Sequence, residues 1–104
     1  MDKLAMLSQI LTQDPTNAFA RYGLAMEHIS QGQTDTALTE FTTLIHHNPD
    51  YVPAYQMSAQ TMAANANPAG AIARLHEGIA TANRTGNQHA LAEMEALREE
   101  LTNA

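Results

Sequence analysis

Residues 36–51 read TALTEFTTLIHHNPDY and residues 70–85 read GAIARLHEGIATANRT, and the two stretches carry one pattern of side chains thirty-four positions apart. Ala37 falls on Ala71, Leu38 on Ile72, Phe41 on Leu75 and Ile45 on Ile79. Within each stretch the large apolar residues recur every three or four positions, the spacing of one helix face. Outward from there the same register aligns Asp14-Pro15 with Asn48-Pro49, Ala20 with Ala54 and Ala25 with Ala59. Seven matches in one register, at positions that helical patterning buries or places at boundaries, identify an internal repeat.

Each repeated position has a physical role. Two antiparallel helices joined by about three residues approach closely only where their crossing carries small side chains. Ala25 with Ala37, and Ala59 with Ala71, supply them. Phe41 and Leu75, one turn further along the second helix, fill the space against the next pair. Proline after the second helix turns the chain back. Stacking such pairs buries a continuous core that one pair cannot bury alone.

Asp14-Pro15, Gly32, Asn48-Pro49, Asn67-Pro68 and Gly86 punctuate the rest of the chain at helix-length intervals. Proline cannot continue a helix, and glycine readily takes the left-handed residue that closes one. The punctuation therefore predicts six helices, over roughly 2–13, 16–31, 34–47, 51–65, 68–84 and 87–102. Leu4, Leu7 and Leu11 form the apolar stripe of the first, and Leu91, Met94, Leu97 and Leu101 that of the last. In the last segment Glu93, Glu95, Glu99 and Glu100 occupy the other faces and read as solvated. Asn67 and Asn87 stand where a helix needs an amide-capping side chain. Alanine and leucine abound and aromatic residues make up only 5% of the 104 residues, so the fold class is all-α.

The thirty-four-residue helix-turn-helix unit resembles the tetratricopeptide repeat. In residues 18–51 the signature positions are Leu24-Ala25, Gly32, Ala37, Phe41 and Pro49, and in residues 52–85 they are Tyr55, Ala59, Ala71 and Leu75. Arg21 departs from the family pattern where a large aromatic is common. Asn83 replaces the closing proline of the second unit, and Ala66 replaces the turn glycine. The resemblance implies an α-solenoid, a right-handed superhelical stack of antiparallel helix pairs. It implies one domain over residues 1–104, made of a half repeat (1–17), repeats 18–51 and 52–85, and a capping helix (86–104). It further implies a protein–protein interaction module with no reaction of its own. In that family the first helix of each unit lines a concave groove. Carried onto this chain, that face selects Phe19, Tyr22, Met26 and Ile29 from one unit and Gln56, Gln60 and Ala63 from the next.

Two readings of the first set stand side by side. Aromatic and methionine stripes usually pack as core. Alternatively they floor a partly apolar groove for a peptide or partner helix, with methionine adapting to its ligand and the glutamines bonding an incoming backbone. A clamp for an acidic peptide tail would need several cations on this face, and only Arg21 is near. A further reading is a homodimer, paired about a two-fold axis through Met6 and Ile10 of the N-terminal helix.

Other functions find little support. Eleven acidic against five basic residues, a net charge of −6, cannot build the positive surface that nucleic acid requires. The chain has no cysteine, hence no thiolate ligand or thiol nucleophile. The five histidines show no metal-binding spacing, since His46 and His47 are adjacent and diverge on a helix, while His28, His76 and His89 stand alone. Ser8, Ser30 and Ser58 lie within helical patterns without a nucleophile-elbow sequence. No metal, cofactor or enzymatic activity is expected. No stretch approaches the ~20 apolar residues of a membrane span. Residues 1–11 carry one lysine and are interrupted by Asp2, Ser8 and Gln9, unlike a signal peptide, so the expected location is cytoplasmic.

Overall fold

Small residues at the repeated positions are fully enclosed. Ala20, Ala25, Ala37, Ala54, Ala59 and Ala71 have no exposed surface, and neither do the large partners Phe41 and Leu75. The computed structural model describes residues 2–104, which form six helices and no strand among the described residues. They are α1 (Lys3–Gln13), α2 (Ala18–Ser30), α3 (Thr34–His47), α4 (Val52–Ala64), α5 (Pro68–Thr85) and α6 (Gln88–Thr102). The α4 and α5 helices begin thirty-four residues after α2 and α3, so the repeat in residue types is a repeat in structure. The chain clusters into two compact units, one ending at Pro49 and one beginning at Asp50.

In the first unit α2 packs between α1 and α3. Leu7, Ala20 and Leu24 form the buried contact of α1 with α2, flanked by Leu4 and Leu11. Gly23 lets the Leu7 methyls come within 3.3 Å of the place a β-carbon would take. The antiparallel course of α2 and α3 is tied at its open end, where Asn48 Nδ2 donates to the Thr16 carbonyl at 3.2 Å. Arg21, which departs from the family pattern, packs by polar means. Its Nη1 donates to Glu40 Oε2 at 2.8 Å and its Nη2 to the Pro15 carbonyl at 3.0 Å, so the guanidinium joins α3 to the turn before α2. Leu44 and Phe41 complete the buried face of α3.

The second unit repeats the hairpin and adds a third helix, with α5 packed on both α4 and α6 and α6 touching α4. Here the aromatic Tyr55 is present and nearly buried. Gly78 makes room for it, since a β-carbon there would lie 2.7 Å from Tyr55 Cβ and 2.7 Å from Met94 Sδ. Met94 is itself fully buried. The capping helix therefore inserts a large side chain into the unit besides covering it with carboxylates. Arg84 Nη2 meets Asp50 Oδ1 at 2.7 Å, joining the end of α5 to the residues before α4.

Caps account for the helix starts. The side-chain oxygens of Asp2, Asn17, Asn67 and Asn87 accept from the amides of Ala5, Ala20, Gly70 and Ala90 at 2.8, 2.8, 3.0 and 3.1 Å. Without the closing proline, α5 continues to Thr85 and stops at Gly86, whose φ is 78°.

Candidate functional site

The seven groove residues expected from the resemblance fall into two sets, one on α2 and one on α4. On α2 the structure divides the apolar set. The Tyr22 ring rests edge-on against Phe41 with centroids 6.0 Å apart, an arrangement that commits it to the hairpin. Met26 and Ile29 are half-buried. Phe19 stands in solvent with 79% of its surface exposed. The first turn of α2 holds its backbone in place, because Asn17 caps the neighbouring Ala20 amide. An aromatic ring this exposed contributes little to the fold, so packing accounts for Tyr22 and leaves Phe19 unexplained. Arg21 is engaged by Glu40 and the Pro15 carbonyl, so its charge is already satisfied within the hairpin.

On α4, Gln56 is half-buried, Gln60 exposed and Ala63 half-buried. Gln56 and Gln60 are one turn apart and form one wall of an open trough of about 360 Å³. The opposite wall belongs to α6, where Glu93, Met94, Ala96, Leu97 and Glu100 line it. Gln56 Nε2 donates to Glu93 Oε1 at 3.2 Å, and His89 Nε2 lies 3.2 Å from the same oxygen. Sequence reasoning placed Glu93 and Glu100 on a solvated face and Leu97 in the core stripe. The spacing of Glu93, Leu97 and Glu100, four and then three residues, marks one face of α6, but no sequence pattern says that this face meets α4. Arg98 is on another side of α6, with Nη1 3.4 Å from His76 Nδ1 of α5.

A second hollow of about 240 Å³ lies on α1, lined by Met6, Gln9, Ile10 and Gln13. Met6 and Ile10 expose 49% and 39% of their surface. Among the described residues no three His, Asp or Glu side chains gather as a metal-binding group. No helix among them is long and apolar enough to cross a membrane. The histidines are dispersed: His46 and His47 are neighbouring exposed rings, and His28 Nδ1 bonds Gln33 Oε1 at 2.7 Å. The Ser58 hydroxyl is buried and donates to the Tyr55 carbonyl at 3.2 Å, so it is a structural group.

Comparison with known proteins agrees with this geometry. A TPR repeat-containing protein of Pseudomonas aeruginosa is 26% identical over 98 residues, spanning 94% of this chain and 93% of that protein. The solution structure of a tetratricopeptide repeat domain protein from Salinibacter ruber superposes with a TM-score of 0.79 at 30% identity, covering 84% of this chain and 88% of that one. The fold is also that of PcrH, solved in complex with the chaperone binding region of PopD. There the TM-score is 0.88 at 17% identity, over 96% of this chain and 76% of that one. The sequence model of the tetratricopeptide repeat matches residues 4–57 and again residues 28–94. With its helical hairpin recurring at thirty-four residues and matched over most of its length, this chain belongs to the tetratricopeptide repeat family.

Proposed function

We propose that this chain is a protein–protein interaction module that holds a peptide or a partner helix against a shallow, partly apolar surface, for which α2 and the α4–α6 trough are two separate candidates. Tetratricopeptide repeats are a non-catalytic repeat fold whose members generally mediate protein–protein interaction. PcrH, which shares the fold, binds a segment of another protein. The observation that carries the reading is Phe19, an aromatic side chain held in solvent on the helix that also presents Met26 and Ile29. Aromatic anchors of this kind dominate the energetics of peptide interfaces. A face this small buries under ~1,200 Å² with its ligand and gives micromolar affinity.

Selection from a displayed random-peptide library tests this. Peptides retained by the wild-type chain should lose about tenfold in affinity on Phe19→Ser and on Met26→Glu, a loss of ~1.4 kcal/mol, with helical circular dichroism and melting preserved. The reading fails if no peptide is selected, or if both variants bind as the wild type does.

A second reading, self-association, is favoured by a different observation. Met6 and Ile10 form an exposed apolar pair on α1 beside Gln9 and Gln13, a surface that a second copy of this chain could cover about a two-fold axis.

A further inference from the structure

The trough between α4 and α6 is lined on one side by two carboxylates and on the other by two amides, with no cation among its residues. Glu93 and Glu100 stand two helical turns apart on α6, and Leu97 lies between them. Seven residues of helix separate the two carboxylate-bearing positions by about 10 Å. Ala96, Leu97 and the buried Met94 supply the apolar part of the lining, and Gln56 and Gln60 face them from α4. The α4 helix contains no charged residue, so nothing on that wall offsets the negative rim. Arg98, the one arginine of α6, is turned toward His76 of α5. The hydrogen bond from Gln56 to Glu93 leaves the second carboxylate oxygen and the amide carbonyl of Gln56 unused by that bond.

We infer that this trough binds a peptide segment carrying two lysine or arginine side chains about 10 Å apart with an apolar side chain between them, and so selects basic rather than acidic ligands. In a ligand with polyproline-II backbone, which has three residues per turn and rises about 3.1 Å per residue, positions three apart share one face about 9 Å apart, close to the carboxylate spacing. The two cations then meet Glu93 and Glu100 while the intervening side chain covers Leu97. Gln60 and the free carbonyl of Gln56 bond the ligand backbone. The charge distribution is the opposite of a basic clamp, so a peptide ending in several carboxylates is repelled. This inference rests on the interaction-module reading and adds the chemistry of the ligand.

The test is fluorescence polarisation of three labelled synthetic peptides against the full chain. They share glycine and serine flanks and differ in the core: Lys-Leu-Thr-Lys, Gln-Leu-Thr-Gln or Glu-Leu-Thr-Glu. The lysine peptide should bind more tightly than the glutamine peptide and the glutamate peptide least. Glu93→Gln and Glu100→Gln should each weaken the lysine peptide about two- to fivefold, the range of exposed ion pairs, and the effect should shrink as salt is added. Glu95→Gln, an exposed carboxylate of α6 outside the trough, should leave binding unchanged. Equal losses in all three variants would mean a general attraction to the negative chain and would overturn the assignment to the trough. Equal binding of the lysine and glutamine peptides overturns the charge selection while leaving the interaction module standing. Binding by none of the three overturns the inference, and the module itself is then judged by the Phe19 and Met26 variants.

Discussion

Ala66 occupies a backbone conformation that alanine rarely adopts. Its φ is 60°, and thirty-four residues earlier Gly32 has φ 76°. Both close a helix through the same pair of bonds. Gln33 and Gly32 donate to the carbonyls of His28 and Ile29 at 2.8 and 3.0 Å, and Asn67 and Ala66 to those of Met62 and Ala63 at 2.9 and 3.3 Å. The β-carbon of Ala66 crowds its own carbonyl in this region. Ala66→Gly should therefore stabilise the chain by about 0.5–1 kcal/mol, the strain relieved exceeding the extra entropy of an unfolded glycine. Urea unfolding measures it, and a lower midpoint would refute the strain. Gly78 poses the opposite case. Its environment is set by Tyr55 and Met94, and a methyl group there meets the Tyr55 β-carbon, which cannot swing aside. Gly78→Ala should cost about 1–3 kcal/mol in the same experiment. Ala66 was legible in the sequence as a replaced turn glycine, whereas nothing near Gly78 in the chain announces a close approach to residues 55 and 94.

Helix boundaries were largely legible because each is written in local chemistry. Asn67 and Asn87 cap where their position beside Pro68 and Gly86 predicts, and α3 spans the predicted 34–47. The end of α5 depends on Asn83 standing where the family has proline, which lets the helix run to Gly86. That longer helix carries Arg84 to Asp50. The hydrogen bond from Arg84, reinforced by its charge, holds the Asp50 carboxyl below its ordinary value of 3.8. A carboxylate whose affinity for protons is lowered by folding stabilises the fold above its ordinary value, and that contribution is lost as pH falls through the depressed one. Arg84→Gln should accordingly melt at a slightly lower temperature than wild type at neutral pH, and the two curves should converge in strong acid. A gap that persists there would mean that Arg84 acts by packing.

At the scale of the whole molecule, the α4–α6 trough and the hollow on α1 stand beside Phe19 as candidate surfaces among the described residues. Light scattering separates the two readings of function. A module that binds peptides is expected to run as a monomer at micromolar concentration. A dimer that Met6→Lys and Ile10→Lys dissociate would favour self-association. Composition and periodicity were sufficient for the all-α class and the thirty-four-residue repeat, because these depend on helix period, small residues at crossings and residues that stop helices. The enclosure of Ala25, Ala37, Ala59 and Ala71 follows the same rule. Which apolar residues remain outside is a different matter. Tyr22 and Phe19 lie three positions apart in one stripe, yet one packs on Phe41 and the other is in water. Gln56, expected to face a ligand, donates to Glu93 across thirty-seven residues of chain. Helix periodicity orients a side chain about its own axis. Only the packing of one helix on another decides whether that direction meets a neighbour or solvent, and this is where folding left Phe19 exposed and brought two glutamates of the last helix opposite two glutamines of the fourth.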